Sequence, residues 1–250
     1  MLISIITVTL NSQKNVKTCL NSISSQTYKN IEHIIIDGAS SDNTLNLINQ
    51  HIWNPSKIIS EPDNGIYDAL NKGFAMASGD IVGILHSDDK FAYSNTIEKI
   101  VKAFEDKSAD FVYGDMRLVN AFGETIRLDK VGKLRSGKIK YKQIPHPSLF
   151  ISREKLTKIN PFFDDSYEIS ADLKQQLILS NKLSAKGFYL SEVIALQKIG
   201  GKSTRNFLAY LKGWRESARA WNEVMGRGGI FFVISKVLLK IKGYIFKGNN

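Results

Sequence analysis

The stretch that decides the fold is Ile81-Val82-Gly83-Ile84-Leu85-His86-Ser87-Asp88-Asp89, an apolar run that ends in two adjacent aspartates. The apolar residues are typical of a buried strand. Two carboxylates directly after such a strand are costly to desolvate unless a positive group binds them. Hard oxygen ligands on a rigid strand end suit a divalent cation that bridges a diphosphate. The alternative is that the pair caps the helix that follows.

A second acidic strand end precedes it, in Ile34-Ile35-Ile36-Asp37-Gly38-Ala39-Ser40-Ser41-Asp42. The carboxylate of Asp37 could accept a hydrogen bond from a nucleobase or a ribose, and Gly38 permits close approach of the backbone. Asp42 is placed to begin the next helix. A plain strand–turn–helix link would account for Gly38 and Asp42, but it leaves Asp37 at the end of an apolar run unexplained.

Strand and helix patterns alternate through the first half of the chain. Apolar and β-branched runs predict strands over residues 2–9, 31–36, 57–60, 80–85 and 110–113, and helical spacing predicts helices over 14–26, 42–50, 66–77 and 95–104. Short links between them imply right-handed crossovers and an α/β, Rossmann-like fold with a mainly parallel, twisted sheet flanked by helices. Ligands of such sheets bind beyond the carboxyl ends of the strands, where both acidic motifs fall.

Composition supports a globular chain with an anionic partner. The 250 residues are 43% hydrophobic, and a single cysteine, Cys19, rules out an intramolecular disulfide and fits a reducing cytoplasm. The net charge of +10 is uneven: −5 over 1–116, +8 over 117–160, −2 over 161–197 and +9 over 198–250. The basic segments predict contact with membrane lipid or a diphosphate. We expect no nucleic-acid partner, because no aromatic-interleaved basic patch is present, and no signal peptide.

The last apolar segment, residues 230–246, is interrupted by lysines. About seventeen such residues are too few and too charged for a membrane span. Lys236, Lys240 and Lys247 share one predicted helical face, which favours a basic amphipathic helix lying at the membrane interface. The alternatives are a helix packed on the rest of the chain and a dimer contact.

Four motifs in order carry a family resemblance: Thr9…Asn11, Asp37-Gly38…Ser41-Asp42…Thr44, Glu61-Pro62-Asp63-Asn64-Gly65-Ile66-Tyr67-Asp68 and Ser87-Asp88-Asp89. Together they resemble family 2 glycosyltransferases, most of all the bacterial branch that builds colanic acid, O-antigen and other surface polysaccharides. The resemblance implies a GT-A catalytic domain over 1–205, with a nucleotide-sugar half (1–116) and an acceptor half (117–205). Residues 206–250 then form a helical C-terminal extension.

The resemblance also implies an activity. It is an inverting transfer of a sugar from a nucleotide-diphosphate donor, dependent on Mn²⁺ or Mg²⁺, to a saccharide or a polyprenyl-diphosphate-linked acceptor. The expected location is the inner face of the cytoplasmic membrane. By position, Asp37 would contact the nucleobase, Asp88 the ribose or sugar, and Asp89 the metal, and Asp172 matches the general base.

Further donor-binding candidates accompany these four aspartates. Thr9 belongs to the first motif, and Lys202 and Ser203 lie in Gly200-Gly201-Lys202-Ser203-Thr204, which resembles the family's late loop near the diphosphate. The polar residues after the turn at 62–65 exceed what helix capping needs, which makes candidates of Asp68, Asn71 and Lys72. His146 stands between two prolines that stiffen the backbone, so it could touch the donor phosphate or the acceptor; the alternative is a structural histidine.

Two other readings share parts of this pattern. A sugar nucleotidyltransferase has similar sheet and metal requirements, but it opens with a glycine-rich loop after the first strand, and the loop here is Leu10-Asn11-Ser12-Gln13. A membrane-associated assembly subunit could keep the fold without catalysis, although the full set of acidic motifs argues against it.

Overall fold

A computed structural model describes residues 1–51, 56–198 and 207–245. The strands are β1 (Ile3–Thr9), β2 (Ile31–Asp37), β3 (Ser56–Ser60), β4 (Ile81–Ile84), β5 (Asp89–Phe91), β6 (Phe111–Val119), β7 (Thr125–Asp129), β8 (Leu149–Ser152) and β9 (Gly187–Lys198). The helices are α1 (Val16–Ser24), α2 (Thr44–His51), α3 (Ile66–Met76), α4 (Thr96–Lys107), α5 (Arg153–Leu156), α6 (Ala171–Leu177), α7 (Phe207–Met225) and α8 (Gly229–Ile245).

The first half of the chain forms the parallel part of one sheet, in the order β3-β2-β1-β4. All seven residues of β1 and of β2 are buried, as expected for parallel strands covered by helices on both faces. The register sets Thr9 beside Asp37 and Asp37 beside Ser60. The predicted alternation of strands and helices is therefore confirmed, and the carboxyl ends of three strands meet at one edge.

The second half continues the same sheet with mixed pairing. Strand β8 runs antiparallel to both β4 and β6, β9 runs parallel to β6, and the short β5 pairs antiparallel with β9. Strands β6 and β7 form the hairpin at residues 116–129. Because β8 is hydrogen-bonded to both β4 and β6, the two halves of the chain share one sheet.

Helices bury the two faces of this sheet in separate cores. One core brings side chains of α3, α6 and α8 onto the sheet, among them Leu70, Leu173 and Phe232. The other packs α1 and α4 against the opposite face, with Ile23 and Phe104 among its members. Helix α8 therefore belongs to the core on the α3–α6 side of the sheet.

The C-terminal helices pack on the rest of the described chain. Trp221 of α7 stacks on Phe232 of α8, with ring centroids 4.6 Å apart. The basic face predicted for the membrane interface is directed into the protein at Lys236, because its ammonium group lies against Gln143, 2.8 Å from the amide oxygen. Lys247 lies outside the described residues. Across residues 1–51, 56–198 and 207–245, no helix combines the length and the hydropathy needed to cross a bilayer.

Candidate active site

Polar side chains gather where β1, β2 and β3 end. The Asp37 carboxylate is fully buried and accepts hydrogen bonds from the Ser40 backbone N–H at 2.9 Å, the Ser60 hydroxyl at 2.8 Å and the Ser40 hydroxyl. Beside it, the Thr9 hydroxyl is buried and has no hydrogen-bond partner among the described residues. This edge therefore combines a rigidly held carboxylate with an unpaired hydroxyl.

The loops around this edge are tied to one another. A Cβ added to Gly38 would lie 2.5 Å from a carboxylate oxygen of Asp63, so glycine is what lets the loop after β3 pack this closely. The hydroxyls of Ser12 and Ser87 lie 2.8 Å apart and join the loop after β1 to the loop after β4. The acidic pair that follows Ser87 is thereby held beside the ends of β1 and β2.

Asp88 and Asp89 occupy different environments although they are adjacent. Asp88 is half-buried, whereas Asp89 is 1% exposed and begins β5. Burial, and then the neighbouring Asp88 charge, raise the pKa of Asp89 well above its usual value, although Gln197 lies close enough to oppose the shift slightly. Neither carboxylate oxygen of Asp89 makes a hydrogen bond of normal geometry to the described residues. A buried carboxylate in this condition is poised to bind a cation.

Asp172, near the start of α6, lies in a second polar pocket. It is 4% exposed, and its Oδ2 atom contacts the His146 Nε2 atom at 2.7 Å and accepts a hydrogen bond from the Gln143 amide. The Tyr67 hydroxyl of α3 approaches Oδ1 at 3.5 Å. Burial acts to raise the pKa of Asp172, but the charge of His146, its hydrogen bond and the charge of Lys236 outweigh it, so the pKa is lowered. This carboxyl group is therefore ionised at neutral pH.

His86 connects the acidic pair to the Asp172 pocket. Its carbonyl oxygen accepts a hydrogen bond from the Asp89 N–H at 3.0 Å, and its ring lies edge-on to the His146 ring, with centroids 5.9 Å apart. Desolvation and then the nearby His146 lower the pKa of His86 to about 3, so this ring is neutral. His86 thus contacts Asp89 through its backbone, and through its ring it contacts His146, the partner of Asp172.

Helix α7 holds the loop that leads to Asp172. The buried Glu216 carboxylate accepts hydrogen bonds from three successive backbone N–H groups, those of Glu168 at 3.1 Å, Ile169 at 2.8 Å and Ser170 at 3.0 Å. A carboxylate that receives several N–H groups fixes a turn strongly. The C-terminal extension is therefore part of the support of the site.

Four residues of this site were missed by sequence reasoning as contributors: Tyr67, Gln143, Glu216 and Lys236. Tyr67 lies within the motif at residues 61–68, so its place in the sequence could have indicated a role in the site. Gln143 lies in a loop, and Glu216 and Lys236 lie in helices distant along the chain, and nothing local in the sequence relates any of them to Asp172.

Three of the predicted donor-binding residues have partners within the protein. Both ends of the Asn71 amide bind the Phe163 backbone at 2.9 Å. Lys72 forms an ion pair with Glu61 at 2.8 Å and lies 3.5 Å from Asp68, which also accepts the Asn64 N–H at 2.9 Å. These groups brace the loop at 61–65 and its helix in this structure. Lys202 and Ser203 lie outside the described residues.

The described residues bring no three His, Cys, Asp or Glu side chains together as a ready metal cage. Asp89 nevertheless fits a cation, since its two buried oxygens have no other hydrogen-bond partner there. A cleft of about 530 Å³ lies elsewhere, between α4 and strands β6, β7 and β9, with Lys99, Arg117 and Glu192 among its lining residues. None of the predicted site residues lines that cleft.

Comparison with known sequences agrees with this geometry. The family profile described as Glycosyl transferase family 2 matches residues 4–160. The chain is 33% identical over 181 residues to an uncharacterized glycosyltransferase of Mycobacterium tuberculosis, covering 71% of this chain and 67% of that protein. It is 32% identical over 176 residues to a PGL/p-HBAD biosynthesis glycosyltransferase of Mycobacterium bovis, covering 68% and 66%.

Solved structures share the fold. TarS of S. aureus in complex with UDP-GlcNAc superposes with a TM-score of 0.68 at 16% identity, covering 98% of this chain and 73% of that one. The mannosyltransferase PcManGT of Pyrobaculum calidifontis, solved with GDP-Man and Mn²⁺, gives a TM-score of 0.65 at 17% identity, covering 99% and 76%. The GT-A fold predicted from the sequence is thereby confirmed.

Proposed function

Since this chain belongs to glycosyl transferase family 2 and is a glycosyltransferase, we propose that it transfers one sugar with inversion from a nucleotide-diphosphate donor to a saccharide acceptor carried on polyprenyl diphosphate. The observation that carries the proposal is that two buried carboxylates, connected through His86 and His146, have opposite surroundings. The carboxylate oxygens of Asp89 lack hydrogen-bond partners among the described residues, whereas Asp172 is surrounded by groups that keep it ionised.

The donor would bind across the carboxyl ends of β1, β2 and β4. Asp37 is held with both oxygens oriented and would accept a hydrogen bond from the nucleobase, while the unpaired Thr9 hydroxyl beside it can bind the nucleoside. Asp88, half-buried in the next loop, would contact the ribose or the sugar. The structures with UDP-GlcNAc and GDP-Man support a nucleotide-sugar donor of this general kind.

Asp89 is the residue that would hold a divalent cation, Mn²⁺ or Mg²⁺. A bound cation would supply positive charge to the departing diphosphate. Two features support the assignment: the buried oxygens of Asp89 without normal hydrogen bonds, and the high pKa that follows from burial beside Asp88. The Mn²⁺ in the PcManGT structure supports a divalent cation for the fold in general.

Asp172 would act as the general base. The acceptor hydroxyl attacks the anomeric carbon on the face opposite the nucleoside diphosphate, a new C–O bond forms as the sugar–phosphate bond breaks, and the hydroxyl proton passes to Asp172. Oδ2 is occupied by His146 and Gln143, whereas among the described side chains Oδ1 receives a single long contact, 3.5 Å from Tyr67. Oδ1 is therefore the oxygen left to take the proton.

A panel of nucleotide sugars tests the donor assignment. We would measure thermal stability with UDP-, GDP- and dTDP-sugars in the presence of Mn²⁺, Mg²⁺ or EDTA, because a bound ligand stabilises the folded state by mass action. A metal-dependent shift with one donor, followed by sugar transfer to a lipid-linked acceptor, supports the proposal. Release of pyrophosphate from a nucleoside triphosphate would favour a sugar nucleotidyltransferase instead, and donor binding without transfer or hydrolysis would favour an inactive subunit.

The outer side of α8 supports placement at the inner face of the cytoplasmic membrane. Phe231, Ile234 and Leu238 recur at helical spacing and are 76%, 49% and 60% exposed, on a helix that carries three lysines and no acidic residue. Exposed apolar side chains in a basic helix suit an interface with anionic lipid. Such a position would also present the site to a polyprenyl-linked acceptor.

Vesicle binding tests this surface. The double variant Phe231→Ser with Ile234→Ser should lose most of its sedimentation with phosphatidylglycerol vesicles, and the wild-type protein should bind far more weakly to phosphatidylcholine. Phe122→Ser is the matched control, because Phe122 is 90% exposed at the β6–β7 turn. Equal sedimentation of the double variant and the control would refute the membrane surface.

A further inference from the structure

Helix α8 has an inner side that reaches the site. The Lys236 ammonium group donates to the Gln143 amide oxygen at 2.8 Å and lies 3.4 Å from the Ser217 hydroxyl of α7. Lys236 is half-buried, one turn after Phe232, which is 3% exposed and stacks on Trp221. The packing of α8 therefore directs this lysine into the protein, away from the outer apolar row.

Gln143 links Lys236 to Asp172. Its amide oxygen accepts from the ammonium group, and its amide nitrogen donates to Asp172 Oδ2. This orientation of the amide is the one that satisfies both neighbours, since an ammonium group can only donate and a carboxylate can only accept. The amide dipole is aligned from the cation to the anion, so each hydrogen bond strengthens the other.

Other charged and titratable groups also face Asp172 from the elements packed around it. His146 contacts the carboxylate directly, Tyr67 approaches from α3, and His86 lies behind His146. Glu216 on α7 is the nearby acid, and its carboxylate is engaged by backbone N–H groups. Lys236 is the lysine whose charge acts on Asp172, and its effect is to lower the pKa of that carboxyl group.

We propose that Lys236 is a positioning residue of the transfer reaction, which acts through Gln143 to orient the Asp172 carboxylate. The inference rests on the proposed role of Asp172 as the base. It makes the C-terminal helix a contributor to catalysis, in addition to any lipid contact by its outer side. It also predicts that α8 is needed for turnover even with a soluble acceptor.

The test compares three full-length variants in steady-state transfer over a range of pH. For Lys236→Met we expect kcat to fall about tenfold at neutral pH, with the donor KM within about twofold and the acidic limb of the profile moved up by about one pH unit. Lys236→Arg should restore most of the rate, because it keeps the cation. Lys158→Met is the control: Lys158 is an exposed lysine paired with Glu154 at 2.8 Å, and its loss should leave the profile unchanged.

A titration of the Asp172 carboxyl by NMR gives a readout that needs no turnover. The pKa of Asp172 should rise in Lys236→Met and stay near the wild-type value in Lys236→Arg, with thermal melts confirming that both variants fold. An unchanged pKa and an unchanged acidic limb in Lys236→Met overturn the inference. If Asp172→Asn is fully active, Asp172 is not the base. If Asp172→Asn is inactive but Lys236→Met behaves like the wild-type protein, only the proposed role of Lys236 is rejected.

Discussion

Asp89 and Asp172 are both buried aspartates of one site, yet their surroundings act in opposite directions. Asp89 is 1% exposed, has a negative neighbour in Asp88, and its pKa is raised. Asp172 is 4% exposed, is surrounded by His146, Gln143 and Lys236, and its pKa is lowered. Similar burial therefore yields a carboxylate whose charge is uncompensated in one place and a carboxylate whose charge is compensated by neighbouring groups in the other.

The difference separates the two tasks that the proposed mechanism assigns to these residues. A group that binds a divalent ion works best when the protein leaves its charge uncompensated until donor and metal arrive. A base must be ionised before the acceptor hydroxyl attacks, so the protein itself must compensate its charge. Pairs of titratable groups whose environments push their pKa values apart are the expected arrangement of such a site.

The largest effect should come from the base. Asp172→Asn keeps the shape of the side chain and removes its ability to take a proton, so we expect transfer to fall by about 10³-fold or more, within the range that loss of proton transfer and of orientation produces together. Donor binding, measured by calorimetry with metal present, should stay within a few fold of wild type. A variant that retains near wild-type turnover would remove Asp172 from the mechanism.

Loss of the proposed metal ligand, Asp89, should affect metal-dependent nucleotide binding as well as transfer. Asp89→Ala should lower transfer by about 10²-fold or more and abolish the part of nucleotide binding that depends on Mn²⁺ or Mg²⁺, because a ligand that supports charge on the leaving group is gone. Binding measured in EDTA should barely change between wild type and variant. Equal metal dependence in the two proteins would contradict the assignment of Asp89.

A smaller effect is expected from a substitution that raises the pKa of Asp172, the direction in which the pKa of Asp89 is already shifted. His146→Gln keeps a hydrogen-bond donor 
but removes the charge that opposes burial, so the pKa of Asp172 should rise. Since the proposed base acts in its ionised form, activity is lost at low pH, and the acidic limb should move up by about one pH unit, with about a tenfold loss of rate on that limb and little change at neutral pH. A limb that stays in place while the donor KM rises would instead give His146 a donor-binding role.

The alternating patterns in the first half predicted the parallel strands because each strand there is followed by its own helix and pairs with a near neighbour in sequence. The pairing of β8 between β4 and β6, and of β9 beside β6, joins segments far apart along the chain. No local periodicity specifies such partners. Lys236 shows the same limit: the predicted helix is observed as α8 (Gly229–Ile245), but the side that it buries was decided by α7 and the loop at Gln143.

The sequence by itself determined the family, the parallel core and the positions of the acidic motifs, because strand ends and turns are formed by residues that are adjacent in the sequence. Only the tertiary structure decided the electrostatic condition of each carboxylate. The surroundings of Asp172 come from residues 67, 143, 146 and 236, and those of Asp89 from its burial in β5, between the Asp88 charge and the neighbouring strand β9. A pKa depends on burial and on charges close in space, and neither can be read from the separation of two residues along the chain.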